Sequence, residues 1–298
     1  MNLTGYLEQV LQAQRLAEGS EELKDIRKHR DDVEALLRSK FEDCSPTIRY
    51  GGSVAKKTMI KDAYDLDIVC YFACDDDAAG ENLKEIYDKV KLALADDYHT
   101  EPRTSAIRLK SNKIENYLAD FHIDVVPGRF TDETKWDCYI HQSGSEKSRL
   151  KTNIDVHIKH IRDSGVIQAI RVFKLWNVRN GIWLKTFVME LLVIELLKEH
   201  KDLPLGEQFE HVLGILRDAV FSVGVEDPAN PSGNDLSAAL DDAKRLHMQA
   251  VAASSLSHID DEAWTSLFGE MEVPSDKAAT LASVVSSVGG GGSKPWSA

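Results

Sequence analysis

Three short pieces of this sequence hold residue types that could do chemistry together. The first is Gly51-Gly52-Ser53, a turn without side-chain bulk that lets backbone N–H groups approach a phosphate closely. It stands at the mouth of a short helix, whose first turn favours negative charge. The second is Asp65-Leu66-Asp67, opening the run DLDIVCYF. If 65–72 is a strand, both carboxylates project from one face, and Leu66, Ile68, Cys70 and Phe72 point the other way into a core. The third is Asp124 in DFHIDVV, set between Ile123 and Val125 on a further strand. A Gly-Gly pair alone is usually only a turn, and an Asp-x-Asp alone is common on solvated strand ends. In this order, interleaved with apolar strand residues, three carboxylates beside a phosphate cradle suit two magnesium ions holding a nucleoside triphosphate.

The elements that must position these residues follow from pattern. Leu3 to about Phe41 reads as helical with a break near Gly19-Ser20, and Ser45-Pro46 ends it. Thr47–Tyr50 reads as a strand feeding the glycine turn, 65–72 as the next, and Glu81 to Tyr98 as a covering helix. Ser105–Leu109 and Asp120–Val126 read as further strands, with Pro127-Gly128 closing the last. After the polar stretch His141–Ser148 the period becomes helical, over 153–163, 165–180, 186–200, 206–223, 237–254, 260–268 and 275–285. This divides the chain into N-terminal helices (1–46) bridging two lobes, a catalytic lobe (47–150), a helical lobe (151–286) and a flexible glycine-rich tail (287–298).

The helical part adds candidates. In VIQAIRVFKLWNVRN, Arg171 and Lys174 lie three apart and share a face, while Ile167, Ile170, Phe173 and Trp176 can pack inward. A cation at the edge of such a helix could meet the phosphates that metal ions leave unneutralised, although a solvated basic face is the commoner fate of such charges. Thr186 fits an N-cap before the apolar run FVMELLVIELL. VEDPANPSGNDLS, Val225 to Ser237, is rich in turn residues and by itself says only loop.

Taken together these motifs resemble a known group. Gly-Gly-Ser, an Asp-x-Asp strand and a third Asp on a later strand are the signature of the polymerase-β-like nucleotidyltransferases. The K-x-W of Lys174-Leu175-Trp176 and the Asp227-Pro228-Ala229…Pro231…Asn234 segment are similar to oligoadenylate synthetases and to bacterial cGAS/DncV-like nucleotidyltransferases. The resemblance runs from about residue 45 to 240. It implies an α+β fold, with a mixed-sheet catalytic lobe and a helical lobe of the oligoadenylate-synthetase/cGAS type. It implies a cyclic di- or trinucleotide synthase that releases pyrophosphate, serving anti-phage (CBASS-type) signalling. Asp65, Asp67 and Asp124 would be the catalytic and metal-binding residues for two Mg2+ ions, with Mn2+ as a substitute. Gly52, Ser53, Lys174, Thr186 and Phe187 would bind nucleotide, Phe187 stacking on the base where a Tyr is more usual. Glu190 matches an acidic position of the family, with no role assigned. An operon-encoded regulator, or an enzyme that conjugates the C-terminus through the slim Gly289–Gly292 tail, would be a partner; an inert end is the plainer reading of that tail.

Composition constrains the alternatives. With 49 acidic against 36 basic residues the net charge is −13, and the densest basic run, Arg27–Arg30, is flanked by Asp25, Asp31 and Asp32. An enzyme that grips duplex nucleic acid by its backbone needs many Lys and Arg contacts. The substrates expected are therefore nucleoside triphosphates, ATP among them, with no duplex activator, which counts against a linear oligoadenylate synthetase. A non-catalytic nucleotide-binding module would have lost its acids, and antibiotic-modifying nucleotidyltransferases lack the K-x-W and DPANP combination. No stretch approaches the roughly 18 apolar residues of a membrane span, and the N-terminus does not read as a signal peptide. The four cysteines form no CxxC pair and no zinc set, so reduced thiols in a cytoplasmic protein are expected.

Overall fold

The computed structural model describes residues 2–16, 19–64, 66–111, 123–144 and 148–270. Asp65, His122, the helix expected over 275–285 and the glycine-rich tail lie outside the described residues. Among the described residues seven strands form one sheet: β1 (Thr47–Tyr50), β2 (Leu66–Phe72), β3 (Tyr98–Pro102), β4 (Ile107–Ser111), β5 (Ile123–Phe130), β6 (Cys138–His141) and β7 (Arg149–Thr152). Their order is β1-β2-β5-β4-β3, with β6 on β5 and β7 on β6. The sheet is mixed, because β2 and β5 run parallel while the other pairs are antiparallel.

The helices are α1 (Leu3–Ala13), α2 (Glu21–Lys40), α3 (Gly52–Lys56), α4 (Leu83–Ala95), α5 (Ile154–Arg162), α6 (Ile167–Arg179), α7 (Thr186–Leu196), α8 (Leu205–Ala219), α9 (Asp242–Asp260) and α10 (Thr265–Phe268). The break between α1 and α2 has a local cause. Gly19 takes a positive φ, and the Ser20 hydroxyl accepts from the Leu23 N–H to start α2 afresh. The helix expected from Ser237 begins instead at Asp242, where Asp241 caps it through the Lys244 N–H.

Period-2 alternation gives the sheet two apolar faces. Leu66, Ile68, Cys70 and Phe72 of β2 join Val125, Ile107, Leu109 and the apolar stripes of α2 and α4 in one core. Val69 and Tyr71 face the other way, onto Phe130, Cys138 and Ile140, with Ile154 of α5 against them. A separate, larger core lies among α5–α10, around Phe173, Trp176 and Phe209, and takes in Tyr6, Leu7 and Val10 of α1. The two N-terminal helices thus serve different cores, α1 the helical one and α2 the sheet. Burial raises the Cys70 thiol to about 12 and pushes Cys138 up as well, so neither is a ready thiolate.

β5 does not end at Pro127-Gly128; it runs through both residues. Its first residues pair with β4 (Ile107↔Val125 and Leu109↔Ile123) and its last with β6 (Gly128↔Ile140 and Phe130↔Cys138). Pro127 sits where the partner changes, a place where a missing N–H costs no ladder bond on that side. Gly128 is required by β6, since a Cβ there would lie 2.6 Å from Cys138 Sγ and 2.9 Å from the Tyr139 carbonyl oxygen. β3, β6 and β7 are additions to the expected strands; each is four or five residues long, too short for its alternation to stand out.

Candidate active site

Asp67 and Asp124 are register partners on the parallel strands β2 and β5. Residues so paired project from the same face of a sheet. Asp67 is the one residue of β2 that is not buried, and Asp124 is likewise only half-buried, so both carboxylates stand at the solvent-reachable end of the face that carries Val69 and Tyr71. Period 2 would put Asp65 beside Asp67, but Asp65 lies outside the described residues. Among the described residues no group of three His, Cys, Asp or Glu comes together to hold a metal ion. The pair is chemically suited to a hard divalent cation, since it offers carboxylate oxygens alone, on two rigid neighbouring strands.

The glycine turn is built onto this pair. The Gly51 N–H donates to the Asp67 carbonyl at 2.7 Å. A Cβ on Gly51 would lie 3.2 Å from Asp67 Cβ and 3.1 Å from Ile154 Cδ1, so any other residue between β2 and α5 would have to push one of them aside by a few tenths of an ångström. Gly52, at φ +72°, turns the chain into α3, and Ser53 follows, fully buried. Gly52 and Ser53 therefore open α3 directly beside the acids.

Nothing in its sequence context marks Arg108. From β4 it lies opposite Asp124 in register and donates to both carboxylate oxygens, Nε to Oδ1 and Nη2 to Oδ2, each at 2.8 Å. That bidentate bond raises the guanidinium pKa further, against partial burial. Any cation held by Asp124 must share it with, or displace, Arg108. Replacing Arg108 by Gln is expected to tighten Mn2+ binding by roughly tenfold in titration calorimetry; equal or weaker binding would show that Arg108 does not compete for the carboxylate.

The helical-lobe candidates meet at the far end of α3. Lys174 is buried, and its ammonium donates to the Thr58 carbonyl at 3.1 Å. Arg171 Nε donates to the Lys57 carbonyl at 3.1 Å, so the two cations do share a face, as their spacing requires. Thr186 opens α7, but the cap position is Lys185, without a side-chain cap bond, in place of the Thr186 cap expected. Phe187 is half-buried, at the edge of the helical core. Its ring lies 4.6 Å from that of His157, and the Lys56 ammonium sits 5.7 Å over it. Glu190 is fully buried and accepts from Lys56 Nζ at 2.7 Å and from the Thr58 hydroxyl.

The DPANP segment anchors this corner. Asp227 is buried; it bonds His157 Nε2 at 2.7 Å, the Ala229 N–H at 2.9 Å and Asn234 Nδ2 at 2.7 Å. Burial pushes its carboxyl up, but the bonds from His157, Asn234 and Ala229 outweigh that and hold it below the usual range. Asn230 Nδ2 reaches the Lys151 carbonyl at 3.1 Å, tying the segment to β7. A cleft of about 560 Å³ lined by Arg129, Tyr139, His141 and Arg149, among others, opens at the opposite end of β5 and contains neither Asp67 nor Asp124.

Residues 26–127 match the nucleotidyltransferase domain family. No curated protein sequence matches the chain. Among solved structures it is similar to the Vibrio cholerae DncV cyclic AMP-GMP synthase, a prokaryotic cGAS homolog, at TM-score 0.71 and 14% identity, covering 91% of this chain and 97% of that one. It is similar to Escherichia coli MS115-1 CdnC with ATP at TM-score 0.67 and 17% identity, covering 91% and 98%. The Bradyrhizobium diazoefficiens CdnG complex with GTP gives TM-score 0.67 at 14% identity, covering 95% and 98%. Residues 26–127 thus match a nucleotidyltransferase domain, and the chain shares its α+β fold with the DncV, CdnC and CdnG structures.

Proposed function

We propose that this protein joins nucleoside triphosphates into a cyclic di- or trinucleotide, with release of pyrophosphate, as a second messenger in anti-phage (CBASS-type) signalling. The observation that carries the reading is the opposition of Asp67 and Asp124 on parallel strands, with the Gly51–Ser53 turn bonded onto Asp67. A ribose hydroxyl attacks the α-phosphorus of a donor triphosphate; the new O–P bond forms as the bond to the β-phosphate breaks, the hydroxyl proton passes to Asp124 and on to solvent, and pyrophosphate leaves. Asp65, Asp67 and Asp124 would hold the divalent ions, Mg2+ or Mn2+. Such ions, when bound, lower the pKa of the attacking hydroxyl and offset the charge of the leaving group.

The residues of this chain supply the positioning. Gly52 and Ser53 meet the donor phosphates, and Lys174, buried on the Thr58 carbonyl at the other end of α3, adds positive charge from the α6 side. Thr186 and Phe187 border the donor from α7, with His157 fixing the ring of Phe187. The similarity to a cyclic AMP-GMP synthase, and to structures that hold ATP or GTP, supports this substrate class. The negative net charge supports activity without a duplex activator.

Incubation with all four NTPs and Mg2+ or Mn2+, followed by mass spectrometry, is expected to yield a cyclic product and pyrophosphate. Linear oligoadenylates stimulated by duplex RNA would overturn the cyclic reading, and no pyrophosphate would overturn both. Lys174→Ala is expected to weaken a non-hydrolysable ATP analogue by about tenfold or more, the worth of one charge-assisted hydrogen bond. Unchanged affinity by calorimetry would remove Lys174 from the donor site.

A further inference from the structure

α3 is only five residues long, so its own backbone bonds hold it weakly and its direction depends on what grips it. The grip comes from the helical lobe and is applied at the end opposite the glycine turn. The Ala55 carbonyl accepts from Arg162 of α5, the Lys57 carbonyl from Arg171 and the Thr58 carbonyl from Lys174, both of α6. Glu190 of α7 completes the set, taking the Lys56 ammonium at 2.7 Å and the Thr58 hydroxyl. Thr58 in turn donates its N–H to the Ser53 carbonyl at 2.9 Å. A continuous path of hydrogen bonds thus runs from Glu190 through Thr58 to Ser53.

The setting of Glu190 calls for an explanation beyond packing. Its neighbours on α7, Val188, Met189, Leu191, Leu192, Val193 and Ile194, are all buried and apolar. A carboxylate there is fully desolvated, and replacing the buried Glu190–Lys56 pair together by apolar residues of similar volume would serve stability as well or better. What the carboxylate does that an apolar residue cannot is take two donors from the α3 exit at once.

We propose that Glu190 is a positioning residue for the Gly52-Ser53 turn, acting through Lys56 and Thr58 to set where that turn stands relative to Asp67. The inference rests on the reading above, in which the turn receives the donor triphosphate. In this arrangement the seating of the helical lobe is transmitted to the phosphate site, and a loss at Glu190 is felt as weaker donor binding with α7 still folded.

The test uses the full chain, thermal melting, and calorimetric titration with a non-hydrolysable ATP analogue and Mg2+. The double variant Lys56→Met/Glu190→Leu removes both buried charges together. It is expected to melt close to wild type yet bind the analogue about tenfold more weakly, the worth of roughly one phosphate hydrogen bond lost from the turn. Thr58→Val, which deletes one hydroxyl, is expected to weaken binding in the same direction, and Thr58→Ser, which keeps it, to bind as wild type. A folded double variant or Thr58→Val with wild-type affinity would overturn the proposal; if the double variant does not fold, Thr58→Val decides. A wild type that binds no analogue would sink the reading of the site instead. The tether is then read from hydrogen exchange at the amides of residues 52–58. Faster exchange in Thr58→Val supports it, and unchanged protection refutes it.

Discussion

Asp67→Asn and Asp124→Asn are each expected to lower nucleotide synthesis by at least about a thousandfold, because either change removes a charged ligand from the centre that stabilises the reacting phosphate. The fold should survive. Asp67 is the one unburied residue of β2, and Asp124 is half-buried with its oxygens on Arg108, so neither carboxylate supports the apolar cores. Asp124→Asn leaves the Arg108 guanidinium facing a neutral amide, so it should in addition lose some thermal stability relative to wild type. Pyrophosphate release and mass spectrometry of products check the first claim, and melting curves check the second. Near-wild-type synthesis in either folded variant would remove the carboxylate pair from the chemistry.

Gly51→Ala should have the next largest effect on rate, although it adds a single methyl group and touches no charged atom. The added carbon would sit 3.2 Å from Asp67 Cβ and 3.1 Å from Ile154 Cδ1, tighter than ordinary contact on both sides. Ile154 is partly buried and packs against the small core on that face of the sheet, which limits how far its Cδ1 can yield and leaves part of the strain to Asp67. A misplacement of about 1 Å at a reacting centre costs on the order of a hundredfold in rate, so the smaller shift required here is expected to cost roughly tenfold. The expected pattern is a fall of about that size in kcat, with far-UV circular dichroism unchanged. Gly51→Val should be worse than Gly51→Ala. If Gly51→Ala keeps full rate, the turn does not press on Asp67 and its link to the site is looser than the 2.7 Å backbone bond implies.

The residues of the candidate site were legible because their chemistry is local. Gly-Gly-Ser reads as a turn from three positions, and Asp67 stands out as the one polar residue among apolar strand neighbours. Asp124 does the same between Ile123 and Val125. Alternation in β2 also predicted the correct core face for Leu66, Ile68, Cys70 and Phe72. The period-3.6 pattern found α6 and α7, and the inward face Ile170, Phe173 and Trp176 is buried as that pattern requires. What failed locally were ends and short pieces: Pro127 read as a strand terminator because its lost N–H matters, and it does not matter where β5 changes partner.

By itself, then, the sequence determined which residues are acids on strands, which glycines are turns and which helix faces are apolar, since each depends on neighbours within a few positions. Only the tertiary structure decided that Asp67 and Asp124 are register partners, because parallel pairing joins segments whose separation along the chain carries no register information. Only it placed Arg108 on Asp124, an antiparallel partner from a third strand whose I-R-L-K context is that of any half-solvated strand. And only it brought Lys56, Thr58, Lys174 and Glu190 into one buried cluster at the end of α3. A buried charge is stable only with partners, and those partners come from α3, α6 and α7, distant in sequence. Their meeting is a property of how the helical lobe packs against the sheet, which no single segment encodes.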